Sequence, residues 1–307
     1  MDRKIVEQFF SKLQESIVVG LEGADGQARF RRDRWSASET PQFDGGGGLT
    51  CVIEDGAVFE KGGVNLSAVE GRLSSRIAAH LKVSPGPFFA TGVSLVLHPR
   101  SPQIPTVHMN VRYLEIAAEE GWQDGVARRW FGGGADLTPY YLYAEDARHF
   151  HETLATACDD YRDDAYARFK SECDGYFRSP HRDEARGIGG IFFDYLEQDL
   201  EKVFEFVQGV GRAFLPSYLP IVERRRDEAW SEHHREWQLL RRGRYVEFNL
   251  VHDRGTLFGL ETGGRTEAIL MSLPPTANWR YNYQPEAGSP EAQLVDVLKH
   301  PRDWIER

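Results

Sequence analysis

The chain has 307 residues, 41% of them apolar and 27% charged, and carries a formal net charge of −10. That balance is an ordinary globular one, able to bury about three quarters of the unfolded surface. The negative sign disfavours sequence-independent binding to nucleic acid, which needs a broad basic surface, but a few converging arginines can still hold an anionic small ligand.

The predicted elements succeed one another without a repeat or a linker, and we expect one domain over residues 1–307. "MDRKIVEQFFSKLQESIVVG" places Ile5, Phe9, Leu13 and Ile17 at helical spacing among charges, an amphipathic docking helix and not a signal peptide. "ARFRRDRWSA" and "LTCVIEDGAVFEKGG" read as short strands, the second turning at an Asp-Gly pair. "LSAVEGRLSSRIAAHLK" reads as a helix with Leu66, Val69, Leu73, Ile77 and Leu81 on one face. Three strands follow, in "PFFATGVSLVLH", "TVHMNVRYLEI" and "ARRWFGGGADLTPYYL", and then a helical stretch from about Glu145 to Tyr176. "GIGGIFFDYL" predicts another strand, and Glu197 to about Leu240 a helical block broken near Pro216 and Pro220. "RYVEFNLVHDRGTLFGLETGGRTEAILMSLPP" predicts at least two further strands and "SPEAQLVDVLKHPRDWI" a closing helix. Strands in runs with helices grouped between them give an α+β fold with a largely antiparallel sheet.

The longest nearly apolar stretch, around "FFATGVSLVL", is far too short to span a bilayer, so no transmembrane segment is predicted. Cys51, Cys158 and Cys173 form no CxxC pair and cannot all pair within one chain, which fits a reducing cytoplasm and offers no structural zinc site.

Side chains alternate along a strand. Val107, Met109, Val111 and Tyr113 therefore share one face of "VHMNVRY", while His108, Asn110 and Arg112 share the other. The same rule puts Ser94 and His98 on a common face. A hairpin centred near Gln103 sets His98 opposite His108 and Ser94 opposite Arg112, with cross-strand Cβ atoms about 5 Å apart. Such a face is either part of a site or the solvated outside of a sheet. In "RYVEFNLVHDRG", strand alternation groups Glu247, Asn249 and Asp253, and Asp253 before Arg254 and Gly255 is also good turn chemistry. The three glycines of "WFGGGADLTPYY" lack phosphate-loop spacing; close backbone approach to a bulky ligand, or a bulged turn, suits them better. "ETGGRTEAI" is a hairpin turn by default, and an anion clamp if Arg265 points inward.

His181-Arg182-Asp183 matches the first two positions of a non-haem iron facial triad. No HExxH motif is present, and His149 and His151, two apart on a helix, cannot face one site together. Without a GxSxG elbow or a histidine context for the cysteines, nucleophilic catalysis is set aside.

Taken in order, "GGGGLTCVIEDGAVFEKGGVNLS", "GVSLVLHPRSPQIPTVHMNVRY", "WFGGGADLTPYY", "GIGGIFFDYL" and "GRYVEFNLVHDRGTLFGLETGGRTEAILMSLPP" resemble the oxygen-dependent coproporphyrinogen III oxidases, from near residue 1 to the end. The resemblance implies a broad antiparallel sheet flanked on both faces by helices, and conversion of the ring A and B propionates of coproporphyrinogen III to vinyls. Oxygen is the co-substrate, no organic cofactor is required, and protoporphyrinogen IX is the product. It also implies a homodimer whose interface involves the segment around residues 245–280. Ser94, the run Asn110, Val111 and Arg112, and Gly263, Gly264 and Arg265 fall on substrate-binding positions. His108 falls on the proton donor and Asp253 on the aspartate that holds the pyrrole nitrogens. His98, His108, His151 and His181 match divalent-metal ligand positions of bacterial members. His98 is thus a ligand if a metal is bound and hydrogen-bonded support if it is not. His252 stands where the family has Trp or Tyr, and Arg280 where it has Glu. Two other readings stay open on the sequence: a tetrapyrrole-binding protein without chemistry, which the set Asp253, His108, Arg112 and Ser94 argues against, and a non-haem iron oxygenase using His181 and Asp183.

Overall fold

The structure, a computed structural model, describes residues 1–37, 43–73, 75, 78–79, 83–118, 121–261 and 264–305, with the side chains of 118, 121–124 and 258 excepted. Gly263, Ile77 and Leu81 lie outside the described residues. Helix α1 (Arg3–Asp25) leads into β1 (Arg31–Ser36), β2 (Phe43–Glu54), β3 (Phe59–Arg72), β4 (Pro87–Pro99), β5 (Thr106–Ala118) and β6 (Gly121–Thr138). After α2 (Ala144–Asp159) and α3 (Ala165–Tyr176) come a two-residue ribbon, β7 (Arg178–Ser179) with β8 (Glu184–Ala185), and then β9 (Gly190–Leu196). Helices α4 (Leu200–Arg225), α5 (Glu232–Val251), α6 (Arg254–Glu261), α7 (Thr266–Leu270) and α8 (Pro290–Lys299) complete the chain. The main sheet runs β1-β2-β3-β4-β5-β6-β9 with every neighbour antiparallel. This is the expected α+β architecture.

One face of the sheet is the core. Val107, Met109, Val111 and Tyr113 are all fully buried there, as alternation predicts, in one cluster with Val6, Phe10 and Ile17 of α1 and Val207, Val210 and Phe214 of α4. The β4–β5 hairpin is centred one residue earlier than expected, because Ser94 pairs with Asn110 and Val96 with His108. Each partner is thereby displaced by two residues. A slip of two preserves faces, so Ser94, His108, Asn110 and Arg112 still share one side, but His98 does not oppose His108, and Gly92, not Ser94, opposes Arg112.

Four other expectations are corrected. The buried stripe of α1 is Val6, Phe10, Leu13, Ile17, Val18 and Leu21; Ile5 points out, 55% exposed. Leu66 and Val69 lie in strand β3, not on a helix, because that segment pairs on both edges, with β2 and with β4, and pairing on two sides overrides the local helical spacing. Pro216 and Pro220 do not break α4. The carbonyl of Pro216, which Pro220 leaves without an amide partner, accepts a hydrogen bond from Nε2 of His149 at 2.9 Å. Finally, the described residues between 243 and 270 lie mainly in helices α5 to α7, not in strands. The buried stripe of α5 includes Gln238, Arg241, Arg242 and Asn249 beside Tyr245 and Phe248, so its helical period is invisible to hydropathy, while the alternating Leu250 is exposed.

Candidate active site

The other face of the sheet is banded. Thr50, Asn65, Ser94 and Asn110 occupy matched positions on four successive strands, and Gly134 extends the row onto β6. Beside it runs a row with little bulk, Gly48, Ser67, Gly92 and Gly132, interrupted by Arg112. On the opposite side of the polar row lie Val96, His108 and Asp136. Above these bands stand α6, α7 and the ends of α3 and α5, enclosing a cavity of about 410 Å³ lined by Ser94, His108, Asn110, Arg112, Asp253, Gly264 and Arg265 among others. Seven predicted site residues therefore converge on one cleft. Val111 does not join them: its side chain is in the core beneath the floor, as period-two alternation requires.

Nδ1 of His108 is 2.8 Å from Asp136, which is fully buried and takes two bonds from Arg186 at 2.8 and 2.9 Å. Burial pushes the Asp136 carboxyl up, but the Arg186 charge and the His108 bond outweigh it and hold the group below its ordinary value. An ionised Asp136 can only accept, so Nδ1 of His108 carries a proton and Nε2 is the nitrogen left for a ligand. Arg186 lies over the Phe177, Tyr245 and Phe248 rings and donates to Asn249 at 2.8 Å, which locks the whole group from behind.

Arg112 donates to Asn110 and to Asp194, both at 2.7 Å. The pair lies flat over Gly132, where a Cβ would sit 2.4 Å from Asp194 and 2.8 Å from Arg112. The glycine run thus serves close approach within a strand, not a turn. Asp253, just past the end of α5, accepts from the Tyr176 hydroxyl at 3.0 Å and from both the amide and the hydroxyl of Thr256 at 2.8 Å. Burial raises its pKa, yet the Arg186 charge and the Thr256 bonds bring it below the ordinary carboxylate value. Burial and this neighbouring carboxylate push the Tyr176 phenol up to about 12.

The cover is tied to the floor. Arg265 donates to Asp33 of β1 at 2.6 Å, Asn65 donates to the Ala268 carbonyl at 2.6 Å, and His98 donates from Nε2 to the Ser272 carbonyl at 2.8 Å. His98 is fully buried, its Nδ1 facing the Thr106 hydroxyl at 3.2 Å. It does not line the cleft.

His151 is also fully buried, with Nδ1 facing Tyr166 and Nε2 facing the Ile188 carbonyl. His181 is held between His252, at 2.9 Å, and Glu247, at 3.0 Å. Among the described residues, no group of three or more His, Cys, Asp or Glu side chains is placed to hold a metal ion. His98, His108, His151 and His181 each have protein partners of their own, and these donor sets do not fit a shared cation. Asp183 pairs with Arg178 and is mostly exposed, so His181 and Asp183 do not converge as a facial pair. The helical course of the chain to Val251 also separates Glu247, bound to Arg182 and Trp279, from Asn249 and Asp253, which reach the cleft. His252 packs against His181 and Arg280 pairs with Glu236, both away from the cleft lining.

Sequence reasoning missed Asp136, Arg186, Asp194 and Tyr176. Asp136 could have been found, since pairing "VHMNVRY" with "GGGADLT" in antiparallel register brings it across from His108. Arg186 and Tyr176 arrive from the chain around the short ribbon, for which no local pattern exists.

An antiparallel sheet that floors a large, part-apolar cleft, with guanidinium groups and ionised carboxylates projecting into it, has the shape and charge that suit a bulky ligand with acidic substituents. The chain matches the coproporphyrinogen III oxidase family over residues 5–304. It belongs to that family, and is an oxidoreductase of haem biosynthesis.

Proposed function

We propose that the protein carries out the oxygen-dependent reaction, converting the ring A and B propionates of coproporphyrinogen III to vinyls and giving protoporphyrinogen IX. For each ring, a propionate, one oxygen molecule and one proton give a vinyl group, carbon dioxide and hydrogen peroxide. The two electrons released on losing the carboxylate and a β-hydrogen reduce oxygen. The observation that carries this reading is the convergence of His108 and Asp253 on one cleft with Arg112 and Arg265.

Arg112 and Arg265 suit carboxylates, which would replace or share Asp194 and Asp33 as partners. Asp253, ionised and held by Thr256 and Tyr176, accepts pyrrole N–H groups and stabilises positive charge as the ring gives up electrons to oxygen. In its doubly protonated form, which the Asp136 carboxylate stabilises through Nδ1, His108 supplies from Nε2 the proton that peroxide formation consumes. A protein that only binds tetrapyrroles has no use for this acid–base pair.

The homodimer implied by the 245–280 segment is supported by its exposed apolar side chains, Leu250, Val251, Leu260 and Trp279. We assign the protein to the cytoplasm and treat residues 1–307 as one domain. No helix among the described residues is long and apolar enough to cross a membrane.

The test is incubation of chelator-treated protein with coproporphyrinogen III, with and without air. Vinyl product and hydrogen peroxide in equal amounts, formed only in air, are expected. Product formed without oxygen, or no product in air, overturns the reading.

A further inference from the structure

At the β1–β3 end of the cleft, three lining side chains each carry a buried polar atom without a partner within the protein: Nε1 of Trp35, Oγ1 of Thr50 and Oδ1 of Asn65. They sit together on β1 to β3, where Thr50 is directly opposite Asn65 and Trp35 lies across Gly48, with its ring 2.4 Å from where a Cβ would be. Asp136 and its partner His108 are on β5 and β6, across the sheet from them. Their hydrogen-bonding roles are fixed by chemistry. An indole N–H only donates, and a threonine hydroxyl can do either. The Asn65 amide has its Nδ2 committed to the Ala268 carbonyl, an obligate acceptor, so Oδ1 is left as an unmatched acceptor. An unmatched buried polar group is costly, so this set, with the Thr50 hydroxyl turned to donate, suits a ligand that offers acceptors to Trp35 and Thr50 and a donor to Asn65.

We infer that Trp35, Thr50 and Asn65 form a subsite for one propionate-bearing pyrrole away from the reacting ring. The Trp35 N–H and the Thr50 hydroxyl donate to the propionate carboxylate, and Asn65 Oδ1 accepts the pyrrole N–H. A pyrrole with an acidic side chain presents both groups at once; a carboxylate alone leaves Oδ1 unmatched, and a bare pyrrole leaves the two donors unmatched. Arg265, held at this end by Asp33, supplies the positive charge. The subsite rests on the family reading for the identity of its ligand.

The test compares the wild type with Trp35→Phe, Thr50→Val and Thr50→Ser. Affinity for coproporphyrinogen III is measured by calorimetry with oxygen excluded, and kcat and KM are measured in air. Trp35→Phe and Thr50→Val are each expected to weaken binding and raise KM about tenfold with kcat unchanged, as loss of one donor to a charged acceptor should. Thr50→Ser, which keeps the hydroxyl, is expected to bind as the wild type does. Unchanged binding in both donor-deleting variants overturns the subsite, as does a loss in Thr50→Ser equal to that in Thr50→Val, or a fall in kcat at constant KM. A wild type that binds no coproporphyrinogen instead overturns the proposed function beneath it.

Discussion

His108 and Asp136 face each other across the β5–β6 pairing, Nδ1 to carboxylate at 2.8 Å, while Arg186 closes the same carboxylate from behind. His108→Gln leaves Asp136 its arginine and removes only the proton carrier. We expect kcat to fall by about 10²-fold or more, with oxygen-free binding of coproporphyrinogen III retained. Undiminished turnover in this variant would take His108 out of the chemistry.

Asp136→Asn acts on stability as well. It leaves the Arg186 charge buried without its counter-ion, which costs about 3 kcal/mol or more. Urea unfolding checks this figure, and His108→Gln provides the comparison in which the ion pair survives.

Asp253→Asn keeps the shape and the Thr256 donors but removes the charge, so binding persists and turnover drops by about 10²-fold or more. The native carboxyl titrates below its ordinary value of 3.8. Its contribution is therefore complete above that value and lost only as pH falls through the lower folded one. A pH profile of kcat should show no loss from Asp253 between pH 5 and 7; an acid limb in that range that Asp253→Asn abolishes would contradict the assignment.

His98 and His151 govern the acid side of the stability curve. Burial, with nearby Arg242 and Lys170 respectively, lowers both, His151 to about 3. Each stays neutral in the fold but takes up a proton in the unfolded chain below the ordinary value of 6.5. Stability is thus full above pH 6.5 and declines as pH falls below it, by up to about 1.4 kcal/mol per pH unit for each ring, the His151 share continuing to about pH 3. Urea unfolding between pH 7 and 5 should follow this trend, with a shallower slope in His151→Gln.

Gly132→Ala tests the glycine run. The new methyl group would meet the Arg112–Asp194 pair at under 3 Å, so the guanidinium must shift from its place on the floor. KM for coproporphyrinogen III should rise about tenfold or more, by loss of a charge-assisted contact, and a KM equal to that of the wild type would show that Arg112 does not hold the substrate.

Much of the floor was legible because a strand has a period of two. That rule alone put His108, Asn110 and Arg112 on one face and Val107, Met109 and Val111 on the other, and it survived the two-residue error in hairpin register, since even shifts do not change faces. The walls were not legible. The stripe of α5 that carries Asn249 toward the cleft is half polar, held by Arg186 and by the Arg242–Glu60 pair, and strand-like alternation at Val246, Phe248 and Leu250 masked it. Asp194 and Arg186 reach the cleft only through pairings between distant parts of the chain, which no window of sequence contains. The histidines matched to metal positions share residue type, but the fold gives each its own partners.

The bonds from Asn65 to the Ala268 carbonyl and from His98 to the Ser272 carbonyl run from neighbouring strands to one short stretch of the cover. Two side chains of fixed length therefore act as spacers between ceiling and floor. The headroom of the cleft is gauged by an asparagine and a histidine, so the thickness of molecule it admits can be reset by changing the length of either one without altering any group that touches the ligand's acids.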